Sequence, residues 1–296
     1  GAPRLMAFDH ARLPAAPGET VGPPRPDPDV SRAYLAPELL NPAHTPTPTT
    51  DLYCLGVILF EMLTGATLFD TPEDALRQNT SAGGPRALAA IDIPERLNDL
   101  VAHLCQPDPA RRPQAAAEVL AELRALRAPT SPAAHAAPPA PSPPAADEPE
   151  IFPPGSIIAH KFQVRRVVAS GGFSTVYQVY DEVLDRVTAL KLFKYADVSF
   201  EHLKQEALAL RDLRHKNVAR LLDWGIMPAS RRPYLLSEFV DGEELTTYTQ
   251  PERRLGPGAA VRAILSLLDT LAYLHGESER LDELEAASRE RELWPE

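Results

Sequence analysis

The run at 128–150, APTSPAAHAAPPAPSPPAADEPE, limits what this chain can fold into more than any other stretch. Its prolines remove backbone donors and favour extended, polyproline-like geometry, and its small side chains cannot nucleate a core. It reads as a semi-stiff spacer, in preference to a polyproline ligand for a partner domain. Before it, apolar residues recur with helical spacing; after it, they alternate as in strands. With 296 residues the chain is long enough for two domains.

A formal net charge of −11 and a pI near 5.3 disfavour a general nucleic-acid-binding role. The only cysteines, Cys54 and Cys105, fall within apolar helical patterns. They offer neither a disulfide framework nor metal-ligand spacing, which suits a reducing cytoplasm. Neither a signal peptide nor a run of about eighteen apolar residues is read, so no membrane span is expected. The chain starts at Gly1 and stops in a charged stretch, which reads as a piece of a longer protein.

In the first half, PRLMAFDHAR (3–12) reads as a short strand and turn, and 14–30 as an irregular loop. In SRAYLAPELL (31–40), Pro37 can sit near a helix start and Glu38 at its positive end. The segment TTDLYCLGVILFEMLTG is apolar almost all round and predicts a buried central helix, capped by Thr49 or Thr50 and stopped by Gly65. Asp51 at its start is expensive to bury unless it meets backbone N–H groups. Further helices are expected over 72–79, 94–105 and 114–127, the last with a stripe of Val119, Leu120, Leu123 and Leu126.

In the second half, strands are expected at 162–168, at TVYQVYDE, at 186–194, at VARLLDWG and at 233–240, with a helix over about 200–213 and a long apolar helix over 257–276. VVASGGFSTVYQVYDEVLDRVTALKLF (167–193) puts a glycine-containing turn between two strand-like runs and ends a third run near Lys191. Such a turn can offer backbone N–H groups, and such a lysine an ammonium, to a polyphosphate. Alone, the pattern more often marks a plain hairpin.

Three motifs in order, APE within YLAPELL, then DLYCLGVILFEMLTG, then DPARRP, make residues 3–127 resemble the back half of a protein-kinase C-lobe. The resemblance implies a buried ion pair between Glu38 and Arg112, and a role for Asp51 in bonding back to the catalytic-loop backbone. Where the family has Asp-Phe-Gly, this chain has Ala7-Phe8-Asp9, and Ala7 has no oxygen for a hard cation. Residues 1–127 are therefore read as the C-lobe portion of a pseudokinase.

Residues 151–296 resemble a protein-kinase N-lobe and the start of its C-lobe: an α+β unit with a five-stranded antiparallel sheet and one interposed helix. The glycine-rich loop would be Ala169, Ser170, Gly171, Gly172, Phe173 and Ser174, with Ala169 and Ser174 standing where the family has glycine. The resemblance implies that Val168, Val176 and Ala189 enclose adenine, that Lys191 contacts the α- and β-phosphates, and that Glu206 holds Lys191 in place. Ser237, at the gatekeeper position, begins a hinge continued by Glu238, Phe239 and Val240. The implied ligands are ATP and Mg²⁺, whose remaining protein ligands would lie outside the sequence, and the implied partner is a protein substrate.

The catalytic loop expected after LAYLHG is replaced by the charged run ESERLDELEAASRERELWPE. Tandem kinases of the PglW type, associated with phage defence, carry a similar charged insertion. The favoured expectation is a serine/threonine kinase beginning at 151, preceded by a pseudokinase portion and the 128–150 linker. A scaffold of two inactive units is the alternative. A permuted single kinase, with 1–127 folded onto 151–275, is disfavoured because neither half shows a catalytic loop.

Overall fold

The computed structural model describes residues 34–41, 43–68, 94–125, 151–171, 174–195, 207, 210–211, 213–228, 230–243, 245–248 and 250–277. The strand and loop expected at 3–30 and the helix at 72–79 lie outside them.

Helix α1, Pro48–Thr64, is the centre of the helical part. It starts slightly earlier than the threonine caps expected from sequence. Thr47 takes the N-cap place, with Pro48 at the first helical position, where its missing N–H is no loss. Thr50 instead accepts the Thr47 N–H at 3.1 Å through its hydroxyl. Leu52, Tyr53, Val57, Leu59 and Met62 are fully buried. Helix α2, Glu95–Leu104, crosses α1 where Gly56 lets it close in. A Cβ at Gly56 would stand 2.7 Å from both Cys105 Sγ and Leu104 Cβ. Helix α3, Ala116–Ala125, buries Val119, Leu120 and Leu123 from its expected stripe.

After the spacer, six strands make one antiparallel sheet in the order β1-β2-β3-β4-β6-β5. They are β1 (Ile157–Ile158), β2 (Phe162–Ser170), β3 (Ser174–Asp181), β4 (Arg186–Phe193), β5 (Leu221–Ile226) and β6 (Pro233–Glu238). The two-residue β1 adds an edge to the five expected strands, and is too short to show a period. Because side chains alternate along a strand, each row of cross-strand partners belongs to one face. Tyr177, Leu190 and Leu236 form one such row, and with Val179, Leu192, Tyr234 and Phe162 they fill a core on one side of the sheet.

Helix α4, Pro257–Leu274, joins the sheet to the helices. By length and composition it is apolar enough to cross a membrane, which the sequence reading did not anticipate. Its buried residues Ile264, Leu265, Leu267 and Leu268 instead share a single core with α1, α2 and α3. On the sheet side, the Tyr273 hydroxyl accepts the Arg214 N–H at 2.8 Å, and Asn217 Nδ2 donates to the Ser266 carbonyl at 3.1 Å. Just before α4, the Leu255 N–H donates to the Met62 carbonyl of α1 at 2.8 Å.

Gly65 closes α1 in the left-handed region (φ 72°), and a Cβ there would lie 2.5 Å from Pro251 Cα. Gly276 has nearly the same φ, 73°, with nothing within 4 Å of an added Cβ. Both Gly→Ala changes incur backbone strain of about 1–3 kcal/mol. Gly65→Ala is expected to lose more stability in urea unfolding than Gly276→Ala, because the Pro251 backbone must also move. Equal losses would count against the close approach of residue 251 to the end of α1.

Candidate functional site

The side of the sheet opposite the Tyr177 core carries the residues singled out after the spacer. Lys191 pairs across the sheet with Val176 of β3 and Leu235 of β6, and the adjacent row on this face is Gln178, Ala189 and Ser237. Ala169 pairs with Val176 and extends the first row to β2. One face thus brings together Ala169, Val176, Ala189, Lys191 and Ser237, which lie far apart in sequence. Lys191 is only 9% exposed, and its Nζ lies 4.9 Å from the centre of the Phe193 ring. Phe193, Leu235 and the helical residue Ala207 form a small cluster on the same face. Its aliphatic stem is held by packing, so the ammonium has a fixed address.

At the end of β2, the Gly171 N–H donates to the Ser174 carbonyl at the start of β3 at 2.9 Å. The Ser170 and Thr175 hydroxyls stand 3.3 Å apart across the paired ends of these strands. Val168 is the extra residue of a bulge between Val167 and Ala169, which bends β2 as it enters the turn. Gly172, Phe173 and Glu206 lie outside the described residues, so the expected Lys191–Glu206 pair does too, as does Ala7.

In the expected hinge, the Glu238 N–H donates to the Arg220 carbonyl at 3.0 Å and is committed to holding the β5 side. Phe239 lies under the Arg166 guanidinium, 5.7 Å from the ring centre. An open surface depression bordered by Leu213, His215, Lys216, Val218, Arg220 and Glu238 includes none of Val176, Ala189 or Lys191. The Lys191 site is defined by strand register and burial, not by that depression. Among the described residues, no group of three or more His, Cys, Asp or Glu side chains gathers to hold a metal.

The helical part holds a second constellation. Arg112 donates through both terminal nitrogens to Glu38, each at 2.8 Å. Its remaining donors reach the carbonyls of Gln106 at 2.6 Å, Thr49 at 3.0 Å and Pro107 at 3.0 Å, and the plane stacks on Tyr53 at 4.8 Å. Thr50 adds a hydroxyl to Glu38 Oε1 at 2.9 Å. Burial works to raise the Glu38 pKa, but the Arg112 bonds outweigh it and hold the carboxyl below its ordinary value. The side chains are 0% and 9% exposed for Arg112 and Glu38. A guanidinium so enclosed is tolerable because its donors are met.

Asp51, expensive to bury, is not buried: its side chain is 50% exposed, and it meets His275 Nε2 at 2.9 Å. His275 was not singled out from the sequence, because nothing in helical spacing ties position 275 to position 51. Tyr34 and Glu61 were also missed. The Tyr34 hydroxyl donates to Glu61 Oε2 at 2.6 Å, and burial raises the Glu61 pKa although that bond opposes the shift. A glutamate inside an otherwise apolar helix was the available signal. Burial pushes the Cys54 thiol up to about 12 and that of Cys105 higher still, which favours the neutral thiol at both.

The protein kinase domain family model matches residues 3–122 and 162–280. The chain belongs to the protein kinase family. It is similar to the serine/threonine-protein kinase PrkC of Bacillus subtilis, 29% identical over 125 residues, covering 41% of this chain and 19% of that protein. It is similar also to PksC of Streptomyces coelicolor, 31% identical over 121 residues (38% and 22% covered). A third similarity is to PknL of Mycobacterium tuberculosis, 39% identical over 98 residues (32% and 24%). The chain spans about a fifth of the length of the curated relatives it matches. Among solved structures, the Mycobacterium tuberculosis PknI kinase domain is similar with a TM-score of 0.27 at 22% identity, covering 31% of this chain and 38% of that one.

Removing one member of the enclosed pair strands the other charge, which costs about 3–5 kcal/mol. Arg112→Ala is expected to lose that much in urea unfolding, and a loss below about 1 kcal/mol, the ceiling for an exposed pair, would show the pair is not buried. Since the Glu38 pKa is depressed, its contribution is fully present above about pH 4.5 and is lost as pH falls through the lower folded value. Glu38→Gln should therefore flatten the acid limb of stability against pH, measured from pH 6 downward.

Proposed function

We propose that the segment after the spacer binds ATP on the Lys191 face, and that the protein it belongs to transfers the γ-phosphoryl group to a serine or threonine hydroxyl of a protein. The observation that carries this reading is the register that lines up Ala169, Val176 and Lys191 in one row, with Ala189 and Ser237 in the next. An ammonium largely removed from water interacts more strongly with phosphate oxygens than an exposed one. Lys191 would meet the α- and β-phosphates, with Glu206 orienting it, and the turn from Ala169 to Ser174 would cover them. Val168, Val176 and Ala189 would enclose the adenine. With its N–H already bonded to Arg220, Glu238 would offer its carbonyl to the adenine edge, followed by backbone groups of Phe239 and Val240. Mg²⁺, when bound, neutralises charge between phosphates. Among the described residues no acidic or histidine cluster gathers to hold it.

Ala7, standing where the family has its magnesium-binding aspartate, favours a second reading for residues 1–127: a pseudokinase portion that supports or regulates. The charged run after LAYLHG supports kinship with tandem kinases of the PglW type.

Lys191→Ala is expected to weaken ATP binding about 10–100-fold, as loss of a charge-assisted contact of about 1.5–3 kcal/mol implies. Adenosine, which lacks phosphates, should bind both forms alike in calorimetry. Unchanged ATP affinity with native circular dichroism would remove Lys191 from the site. In the full-length protein, the same substitution should abolish Mg²⁺-dependent ATP consumption; an unchanged rate would refute the role given to Lys191, and no consumption by the unaltered protein would favour the scaffold reading.

A further inference from the structure

Cations crowd one short stretch of an otherwise acidic chain. Arg211, Arg214, Lys216 and Arg220 fall close together, with His215 among them, although acidic residues exceed basic ones by 41 to 30 overall. Arg214, His215, Lys216 and Arg220 border the depression beside Glu238. Lys216 and His215 are already answered there by Asp269, at 2.9 and 3.3 Å. The two arginines are not. Arg214 donates through Nη1 to the carbonyls of Arg211 and Leu213, at 2.8 and 2.9 Å. Among the described residues no carboxylate pairs with its guanidinium, and the Arg220 side chain makes no hydrogen bond. Acidic groups are in surplus, yet two arginines at the edge of one concavity are left without them.

The loop that carries these charges is held in place. The Tyr273 hydroxyl accepts the Arg214 N–H at 2.8 Å, and the His215 ring stacks on Tyr273 with centres 5.1 Å apart. Asn217, buried, donates to the Ser266 carbonyl at 3.1 Å. These ties run to α4 and fix the backbone, so a ligand has little ordering left to impose.

We propose that this depression binds a phosphorylated serine or threonine side chain of a protein segment, with Arg214 and Arg220 as its phosphoryl contacts and Lys216 at the rim.

A guanidinium presents a planar fork of donors that matches phosphate oxygens. The depression holds about 280 Å³, just under the range of about 300–1,000 Å³ usual for small-molecule sites, so it suits one modified residue better than a nucleotide. Leu213 and Val218 offer an apolar wall to the carbon part of such a side chain. Glu238 borders the site and opposes any anion. A carboxylate ligand would therefore gain little, whereas a phosphoryl group brings a charge of about −1.5 to −2. Nucleic acid fits poorly, because its repeated phosphates call for an extended basic surface and these cations are confined to one depression. The proposal does not rest on nucleotide binding at Lys191.

The test uses the full chain and a fluorescently labelled peptide of alanine and glycine carrying one phosphoserine, followed by anisotropy at low and physiological salt. Binding is expected, weaker at the higher salt, and the same peptide with unmodified serine should bind at least tenfold more weakly. Arg220→Gln removes a guanidinium that holds nothing else in the fold. With native circular dichroism, it is expected to weaken the phosphopeptide about tenfold or more, and Arg220→Lys to retain part of the affinity. Lys191→Ala should leave peptide binding unchanged, so the two sites fail separately. No binding by the unaltered chain, equal affinity for the two peptides, or unchanged binding in Arg220→Gln would overturn the proposal. Loss of binding in Lys191→Ala would also overturn it, by putting the phosphoryl group in the nucleotide site. Inorganic phosphate or a single-stranded oligonucleotide that binds as tightly as the phosphopeptide would overturn it in favour of a free-anion or nucleic-acid site.

Discussion

A helix that is apolar on nearly all sides persists in water only where every side is covered. Helix α1 is such a helix, and the helical part is arranged around that need. Gly56 removes the side chain that would keep α2 away, and the last turn ends on a glycine against Pro251. At the other end, where the first turn carries the polar threonines, Arg112 closes the structure. Its guanidinium takes Glu38, the Thr49 carbonyl and the ring of Tyr53 together, so the start of α1 is tied at once to the turn before it and to the loop before α3. A charge in that position is compatible with the fold because its donors are met; the penalty lies in removing one partner and leaving the other.

The sheet solves a different problem by alternation. Tyr177, Leu190 and Leu236 commit one face to a core, which frees the other to hold a lysine beside small residues. Ala189 and Ser237 set small side chains beside Lys191 on that face. A buried ammonium would be a liability in a plain hairpin. Under the proposed reading, its desolvation is what would suit it to a polyphosphate.

Much of this was legible beforehand. The helices at 48–64, 95–104 and 116–125, and the strands around 167–193, follow from local periodicity, and the helical motifs pointed to Glu38 and Arg112 before their geometry was known. The limits of that reading are equally specific. Thr47 and not Thr49 or Thr50 begins α1, because Pro48 can occupy the first helical position. The bulge at Val168 leaves no periodic trace. Asp51 lies half exposed against His275, more than two hundred positions away, a pairing that no local spacing marks.

The sequence by itself determined the kinds of element, the family and the residue types available at each site. These are local properties, set by the spacing of apolar side chains and by the backbone limits of proline and glycine. Tertiary structure decided which face of each strand carries Lys191, which carbonyls complete the shell of Arg112, and that α4 is covered by helices from the other side of the spacer. Those outcomes depend on register and on complementary shape between segments distant in sequence, and neither is written in the spacing of any one segment.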